Sequence, residues 1–332
     1  MFEERNLFFK MMLLVLITEV FSACTNEWNQ YSALPLKPVE YLPEGTIESE
    51  DAFVFGRALF FDKRLSRDSS VSCAVCHKPF LAFSDGLDFS DGVFDRKSKR
   101  NSPSIVNMRY SPVFMFDANI STLEMQVLSP VQDHNEMDMT MKEIMERIQG
   151  DSLYIALSQK VYGKKVEPYT ITRALAAYQR KLVSLNSPFD QYYYGKNPKA
   201  VSADAKKGFL LFKDKFGCVS CHPLPMFTNY KPENNGLTVM NGDYGRYRST
   251  GDSSDFGKFK VPSLRNIGIT SPYMHDGRFK TLEEVIQHYR KGGEQTKYKS
   301  ELIKPLKIST KEEKQLIKFL ESLQDLDYFV NF

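Results

Sequence analysis

The sequence predicts a mainly α-helical protein with two related halves and long connecting loops. Several segments repeat apolar residues at helical spacing, and convincing strand-like alternation is absent. The motif Cys-x-x-Cys-His occurs twice, at residues 73–77 and 218–222. A similar segment precedes each copy: residues 56–63 read Gly-Arg-Ala-Leu-Phe-Phe-Asp-Lys, and residues 208–215 read Gly-Phe-Leu-Leu-Phe-Lys-Asp-Lys. These observations indicate a duplicated domain, with an insertion before the first motif.

The repeated motif predicts two covalently attached haem c groups. Each copy supplies two thiols at the spacing needed to add across the vinyl groups of a haem, and an imidazole that can bind the iron from one face. Disulfides or a Cys2His2 zinc site are the alternatives, but zinc sites do not require His directly after the second Cys. The predicted haem-binding residues are Cys73, Cys76, His77, Cys218, Cys221 and His222.

Length, charge and cysteine content narrow the class of protein. The chain has 332 residues, enough for two ordinary domains, and its formal net charge of +3 does not suggest a nucleic-acid partner. Four of the five cysteines belong to the haem motifs, so we expect no disulfide within the chain. Only Cys24 is left over.

The N-terminus predicts export from a bacterial cytoplasm. Arg5 and Lys10 precede an apolar run over residues 11–20, and Ser-Ala leads into Cys24. We expect residues 1–23 to be a signal peptide of lipoprotein type, and Cys24 to carry a lipid anchor to a membrane. An ordinary signal peptide with a free Cys24 is the alternative. The expected location is the periplasm or the outer membrane, and no other apolar run approaches the ~20 residues that span a bilayer.

The elements of the predicted N-terminal domain, residues 46–188, follow a tether at residues 24–45. Apolar residues between Ala52 and Phe60 give a helical face that ends near Asp62. Residues 84–102 are rich in Gly and Asp and predict a loop. The remaining helix candidates are Thr122–Leu128, Met139–Ile148 and the stripe Ile171, Leu175, Tyr178, Leu182 and Leu185, which Pro188 ends.

The predicted C-terminal domain, residues 189–332, contains a long loop over residues 229–259. The capping-box pattern from Thr281 to Glu284 predicts a helix that runs to about Tyr289. A last helix is expected to start near Ser309. Its inner face comprises Leu316, Phe319, Leu320 and Leu323.

Further motifs make about residues 45–325 resemble the bacterial dihaem cytochrome c peroxidases and the related MauG proteins. These motifs are Arg100-Asn-Ser-Pro-Ser104, Gly245-Arg246, Val261-Pro-Ser-Leu-Arg-Asn266 and Ser271-Pro-Tyr-Met-His-Asp-Gly277. The resemblance implies two class I cytochrome c-like domains. It also implies that the N-terminal haem reacts with peroxide, that the C-terminal haem passes electrons to it, and that one Ca²⁺ lies between them.

The resemblance also assigns residues near the first haem. In many members a His in the loop before Arg-Asn-Ser-Pro blocks this haem, but the matching position here is Val93 and the loop contains no His. We therefore expect an open haem, although other residues could still block it: Met108, Met115 or His134. Glu136 matches the distal glutamate that moves a proton during peroxide cleavage, and Gln126 matches a distal glutamine. An exposed loop carboxylate is the alternative for Glu136.

Near the second haem the resemblance implies Tyr289 as the second iron ligand. It lies fourteen residues after His275, at a position where peroxidases usually have Met and MauG has Tyr. Phenolate favours ferric iron, and His275 and His288 are the rival ligands. Arg246 matches a residue that can pair with a haem propionate.

Two further assignments concern the space between the haems. Calcium ligands carry over as the Asn101 side chain and the backbone carbonyls of Thr270 and Pro272, which are hard oxygen donors. The family commonly has a Trp between the haems, where this chain has Phe116. The only Trp, Trp28, lies in the tether.

Three functions follow as expectations. The first is a peroxidase that reduces H2O2 with electrons from a small cytochrome c, a cupredoxin or a quinol-linked protein. The second is a MauG-like oxidase that uses H2O2 to modify a protein or small molecule. The third is a dihaem electron carrier without its own chemistry. The resemblance also implies a possible homodimer.

Overall fold

The computed structural model describes residues 36–325 and confirms a mainly helical fold. The predicted signal peptide, Cys24 and Trp28 lie outside the described residues. Within them, the strands are the two-residue segments β1 (Pro232–Glu233) and β2 (Phe259–Lys260), which pair antiparallel. No helix of the described part is long and apolar enough to cross a membrane.

The helices fall into two sets, which correspond to the two halves of the sequence. The first set is α1 (Glu50–Phe61), α2 (Cys73–Cys76), α3 (Leu123–Gln126), α4 (Leu128–Gln132), α5 (Met141–Ile148), α6 (Ser152–Tyr162) and α7 (Pro168–Lys181). The second set is α8 (Pro188–Tyr193), α9 (Ala203–Leu210), α10 (Tyr247–Thr250), α11 (Leu282–Arg290) and α12 (Thr310–Glu321). A π-helical turn at Leu211–Lys215 extends α9 towards the second motif.

In each half, the first long helix crosses the last one at a glycine. In the first half, a Cβ built on Gly56 of α1 would lie 1.9 Å from the carbonyl oxygen of Ala174 in α7. In the second half, a Cβ on Gly208 of α9 would lie 1.9 Å from the carbonyl oxygen of Gln315 in α12. The glycine of the repeated sequence segment therefore marks the same helix crossing twice.

Each half has its own hydrophobic core. One core extends from Phe53 to Leu182, and the other from Phe189 to Leu323. The aromatic residues Phe189, Phe209 and Phe319 pack closely in the second core. These cores position the two cysteine motifs, whereas the domain limits proposed from the sequence stay a prediction.

The predicted helices agree with the structure in most places and differ around Pro188. Helix α11 begins after Thr281, whose side chain and that of Glu284 form the expected capping box. The apolar stripe, however, leaves the helix at Lys181, and Leu185 is buried beyond it. The prediction that Pro188 ends a helix was wrong, because Pro188 is the first residue of α8. The backbone N–H at the first position of a helix has no partner within the helix, so proline, which has no N–H, is well tolerated there.

Candidate active site

The first cysteine motif lies on α2 and holds its histidine in a defined tautomer. His77 follows this helix, and its Nδ1 lies 2.9 Å from the carbonyl oxygen of Phe83. Because a carbonyl can only accept, Nδ1 carries the hydrogen and Nε2 has the lone pair. That is the arrangement of a histidine prepared to bind a metal through Nε2.

The second motif repeats this geometry. His222 Nδ1 lies 2.9 Å from the carbonyl oxygen of Phe227, and burial lowers the pKa of His222 to about 4. The imidazole is therefore neutral at physiological pH, as iron ligation requires. All four thiols of the two motifs are free and partly buried. This donor set fits two covalently attached haems.

A half-buried carboxyl group lies near the first motif. Burial raises the pKa of Glu136 to about 7, and the negative charge of Asp133 adds to this effect. The charge of Glu136 in turn contributes to the raised pKa values of Cys73 and Cys76, behind the larger effect of burial. The carboxyl group therefore lies within electrostatic reach of both thiols.

The loop that carries Val93 holds this carboxyl group in position. The N–H of Val93, which is fully buried, donates to the carbonyl oxygen of Glu136 at 2.9 Å. A Cβ on the preceding Gly92 would lie 1.8 Å from the carbonyl oxygen of Asn135. Only glycine permits this approach, so the sequence Gly-Val fixes the loop against the Glu136 segment.

The structure separates the residues that could block the first haem. The side chain of His134 is 70% exposed and contacts Arg96 and Asp138 at the surface. Met115 lies further inside, where its Sδ accepts from Nε2 of Gln126 at 3.9 Å. Gln126 is half-buried. His134 is therefore a surface residue, whereas Met115 lies beside the predicted distal glutamine.

Tyr289 lies near the second motif, on α11. Burial raises its pKa, and charges on Cys218 and Cys221 add to the effect. Its hydroxyl group lies 3.4 Å from Nδ2 of Asn235. The same amide nitrogen lies 3.5 Å from Sδ of Met274, so Asn235 contacts two side chains that can bind iron.

The two rival histidines have other partners. Nε2 of His288 lies 3.0 Å from the carbonyl oxygen of Asn235. The ring of His275 stacks on Phe259 with centroids 3.8 Å apart, and burial lowers its pKa to about 4. Nε2 of His275 is buried and has no hydrogen-bond partner. The hydrogen bond occupies Nε2 of His288, whereas Tyr289 as the second iron ligand stays a prediction.

Arginines join the two halves. Arg100 donates to both oxygens of Asp243, at 2.6 and 2.7 Å, and forms an ion pair with Asp117. Arg246 donates to Asp255 at 3.1 Å and to the carbonyls of Asp117 and Ala118. The partner predicted for Arg246, a haem propionate, stays a prediction, since these contacts already engage its guanidinium.

The predicted calcium ligands come from both halves of the chain. The N–H of Asn101 donates to the carbonyl oxygen of His275 at 2.8 Å, which brings Asn101 to the loop that contains Thr270 and Pro272. Nδ2 of Asn101 donates to the carbonyl oxygen of Leu87 at 2.7 Å and so fixes the amide. Amide and carbonyl oxygens fit calcium. Within residues 36–325 no three acidic, His or Cys side chains group as a metal site.

The sequence contains a second repeat that our sequence analysis missed. Residues 100–124 match residues 259–283 without a gap, and each pair lies 159 positions apart. The identical pairs are Pro103/Pro262, Ser104/Ser263, Asn107/Asn266, Met115/Met274, Asp117/Asp276, Thr122/Thr281, Leu123/Leu282 and Glu124/Glu283.

This second repeat builds an interface with approximate two-fold symmetry. Asn101 donates from its backbone to His275, and its counterpart Lys260 donates from its backbone to Phe116, at 2.6 Å. Phe116 and His275 are themselves counterparts in the repeat. Arg100 lies over the rings of both Phe116 and Phe259, at 5.8 and 5.3 Å. The two haem motifs are thus related across a junction of matching segments.

Comparisons with known proteins agree with this architecture. A family model described as di-haem cytochrome c peroxidase matches residues 50–198. The methylamine utilization protein MauG of Methylorubrum extorquens is 39% identical, over 85% of this chain and 80% of its own length. The chain belongs to the di-haem cytochrome c peroxidase and MauG family. As a member of this family it is an oxidoreductase of the cytochrome-c peroxidase type, and the family implies two haem c groups.

Two further relatives support the family assignment along most of the chain. The cytochrome-c peroxidase IdrP1 of a Pseudomonas species is 33% identical, over 94% of this chain and 91% of its own length. The crystal structure of a MauG-like protein associated with microbial copper homeostasis superposes with a TM-score of 0.83 at 31% identity. That match covers 90% of this chain and 97% of the other. The family thus includes both peroxidases and MauG proteins.

Proposed function

We propose that this protein is a dihaem peroxidase that reduces H2O2 to water. Two electrons from an external donor would enter at the haem bound by His222, and peroxide would react at the haem bound by His77. H2O2, two electrons and two protons give two water molecules. The observation that carries the proposal is the position of Glu136 near the first motif, with its pKa raised to about 7.

The residues of the chain divide the work in this proposal. The haem irons, when bound, supply the redox chemistry and a site for peroxide. Glu136 in its ionised form takes a proton from one peroxide oxygen and returns it to the other, which makes that oxygen a better leaving group. A pKa near 7 suits both steps, because the carboxyl group can accept and release a proton at neutral pH. The amide of Gln126 would orient the peroxide.

In the second half, the proposed role of the residues is to move electrons only. His222 and Tyr289 would both hold the iron of this half, which would then supply electron transfer rather than peroxide chemistry. Asn235 Nδ2 would donate to the phenolate oxygen of Tyr289 and so stabilise its negative charge. We place electron entry at this half for that reason.

A MauG-like oxidase is the second candidate, and Tyr289 is the observation that favours it. Its hydroxyl group lies in the second half near Cys218 and Cys221, where the sequence departs from the usual peroxidase pattern. Phe116 argues against oxidation of a distant partner, since a phenylalanine ring is far harder to oxidise than tryptophan. We therefore place the peroxidase first.

The remaining assignments are also proposals. We propose an exported, periplasmic protein that is attached to a membrane through a lipid on Cys24. Its electron donor would be a small cytochrome c, a cupredoxin or a quinol-linked protein. We also propose a homodimer, and this proposal rests only on the resemblance to the family.

The test is to mix fully oxidised protein with one equivalent of H2O2 and to follow the Soret and near-infrared bands in a stopped-flow instrument. We expect a fast change in wild type, a rate lower by about 10²–10⁴-fold in Glu136→Gln, and no effect of Glu146→Gln, an exposed carboxylate. Steady turnover with a reduced cytochrome c supports the peroxidase. Slow turnover with near-infrared absorption favours the oxidase instead, and equal rates in both variants would exclude a role for Glu136.

A further inference from the structure

We propose that Lys260 binds a propionate carboxylate of the haem attached to the second motif and acts as a positioning residue for that haem. Lys260 ends β2 at the junction of the two halves, where its N–H donates to the carbonyl oxygen of Phe116. The inference requires haem attachment, which the family implies. It does not depend on whether the protein acts as a peroxidase or as an oxidase.

The backbone next to Lys260 forms part of the surroundings of His222. Val261 accepts through its carbonyl oxygen from Oγ1 of Thr228 at 2.6 Å. Thr228 directly follows Phe227, whose carbonyl oxygen holds Nδ1 of His222. The backbone of Pro262 also acts on the pKa of His222 as a hydrogen-bond partner. The segment of Lys260 therefore lies against the second motif.

The ammonium group of Lys260 has no anionic partner among the described residues. Its Nζ lies 5.8 Å from the centroid of the Tyr230 ring. Burial alone lowers the pKa of Lys260 to about 8. Six other basic side chains of this region are paired with carboxylates, whereas Lys231 is exposed to solvent: the paired ones are Arg100, Arg246, Lys258, Arg265, Arg278 and Lys280.

An unpaired cation in a partly buried position is unfavourable, so the site is built for an anion. Each haem brings two propionate groups, which are anions at neutral pH. In the repeat, Lys260 also occupies the position of Asn101, the predicted calcium ligand. At this position of the repeat, the first half would therefore bind a metal cation through Asn101, whereas the second half would carry the positive charge on the side chain of Lys260.

The test uses the holoprotein and measures the reduction potentials of both haems by spectroelectrochemistry. The variants are Lys260→Met, which removes the charge, and Lys260→Arg, which keeps it. Lys231→Met is the matched control, because Lys231 is exposed and its carbonyl accepts from Val261, beside Lys260. A positive charge favours the reduced haem, so we expect Lys260→Met to lower the potential of the haem attached to the second motif and to leave the other unchanged. Lys260→Arg should stay near wild type, and solvent should screen the control.

The haem content of each variant is determined from its pyridine haemochrome, so that a potential is compared only where two haems are bound. Equal shifts in Lys260→Met and Lys231→Met would overturn the proposal. If Lys260→Met binds only one haem, the comparison passes to Lys260→Arg. If Lys260→Arg binds two haems with wild-type potentials, the positive charge is what matters. If Lys260→Arg also loses a haem, the lysine is needed for packing and the proposal fails.

Discussion

At the scale of single residues, the ionisation of Glu136 controls the proposed chemistry. A carboxyl group in water is almost fully ionised at pH 7, but burial and the charge of Asp133 raise the pKa of Glu136 to about 7. About half of the molecules then carry the base and half the acid. A side chain with this balance can take and return a proton within one turnover.

This pKa predicts how the rate of peroxide reaction depends on pH. Only ionised Glu136 can act as the base, so the second-order rate constant should rise about tenfold per pH unit below the pKa and level off above about pH 7. The rate of the Glu136→Gln variant should be low and nearly independent of pH over the same range. Stopped-flow measurements between pH 5 and 9, on wild type, this variant and Glu146→Gln, check the prediction. A wild-type rate that falls as the pH rises towards 7 would contradict it.

Residues of the site differ in how far the sequence could predict them. The prediction of covalent haem sites rests on spacing alone, because two thiols and an imidazole have few other uses at that spacing. Glu136 was predictable only through the resemblance, since its pKa is set by folding around Val93 and Asp133. Asn235 and Lys260 were missed, because a hydrogen bond to Tyr289 and the absence of a carboxylate partner have no local sequence pattern.

At the scale of elements, two glycines permit the helix crossings that support the haem motifs. Helix α1 crosses α7 at Gly56, and α9 crosses α12 at Gly208. Glycine in a helix is normally unfavourable by about 1 kcal/mol relative to alanine. Here the lack of a side chain allows the backbones to touch, so the gain in packing outweighs this cost.

We predict that Gly56→Ala and Gly208→Ala each destabilise the protein, by about 1–3 kcal/mol or more, because the added methyl group meets a backbone carbonyl that cannot move aside. Gly150→Ala is the control, since a Cβ there has no atom within 4 Å. Thermal unfolding followed by circular dichroism measures the difference. A melting temperature of either crossing variant equal to that of the control would show that the helices can shift apart at no cost.

The helices that could be predicted from the sequence have clear capping and amphipathic patterns, and those that were missed do not. The helix after Thr281 was found because its capping box and apolar face agree. Helix α6 was missed, since Leu153 and Ile155 are about half exposed and blur its amphipathic pattern. The prediction at Pro188 was wrong because proline both stops and starts helices, and here the buried Ser187 caps α8 directly before it.

At the scale of the whole molecule, the two halves share a repeated segment but differ at matching positions, and we propose different chemistry for them. The matching segments 100–124 and 259–283 form the junction, and their differences separate the two roles. Phe116 corresponds to His275, and Asn101 to Lys260. The sequence could have predicted this junction from the constant spacing of the identical pairs. The sequence could not predict that each segment contacts the other copy rather than its own half, because these contacts form only in the folded protein.

The junction leads to our prediction for calcium. Because Asn101 comes from one half while Thr270 and Pro272 come from the other, a bound Ca²⁺ would stabilise the joined state of the two halves. At a Ca²⁺ concentration of about 100 times the dissociation constant, the stabilisation should reach about 2.7 kcal/mol. We expect the melting temperature of the holoprotein to rise when Ca²⁺ is added after treatment with EGTA.

The variant Asn101→Ala should lose most of this rise, because it removes the side-chain oxygen and the amide that Leu87 holds in place. Asn119→Ala is the matched control, as that asparagine is exposed and its amide contacts only Ser249. Replacement of Ca²⁺ by Mg²⁺ should give a smaller rise, since magnesium is smaller and demands stricter octahedral geometry. An equal rise in wild type and Asn101→Ala would place the metal elsewhere. The two halves would then be joined by the contacts of Arg100 with Asp243 and of Arg246 with Asp117, without help from calcium at Asn101.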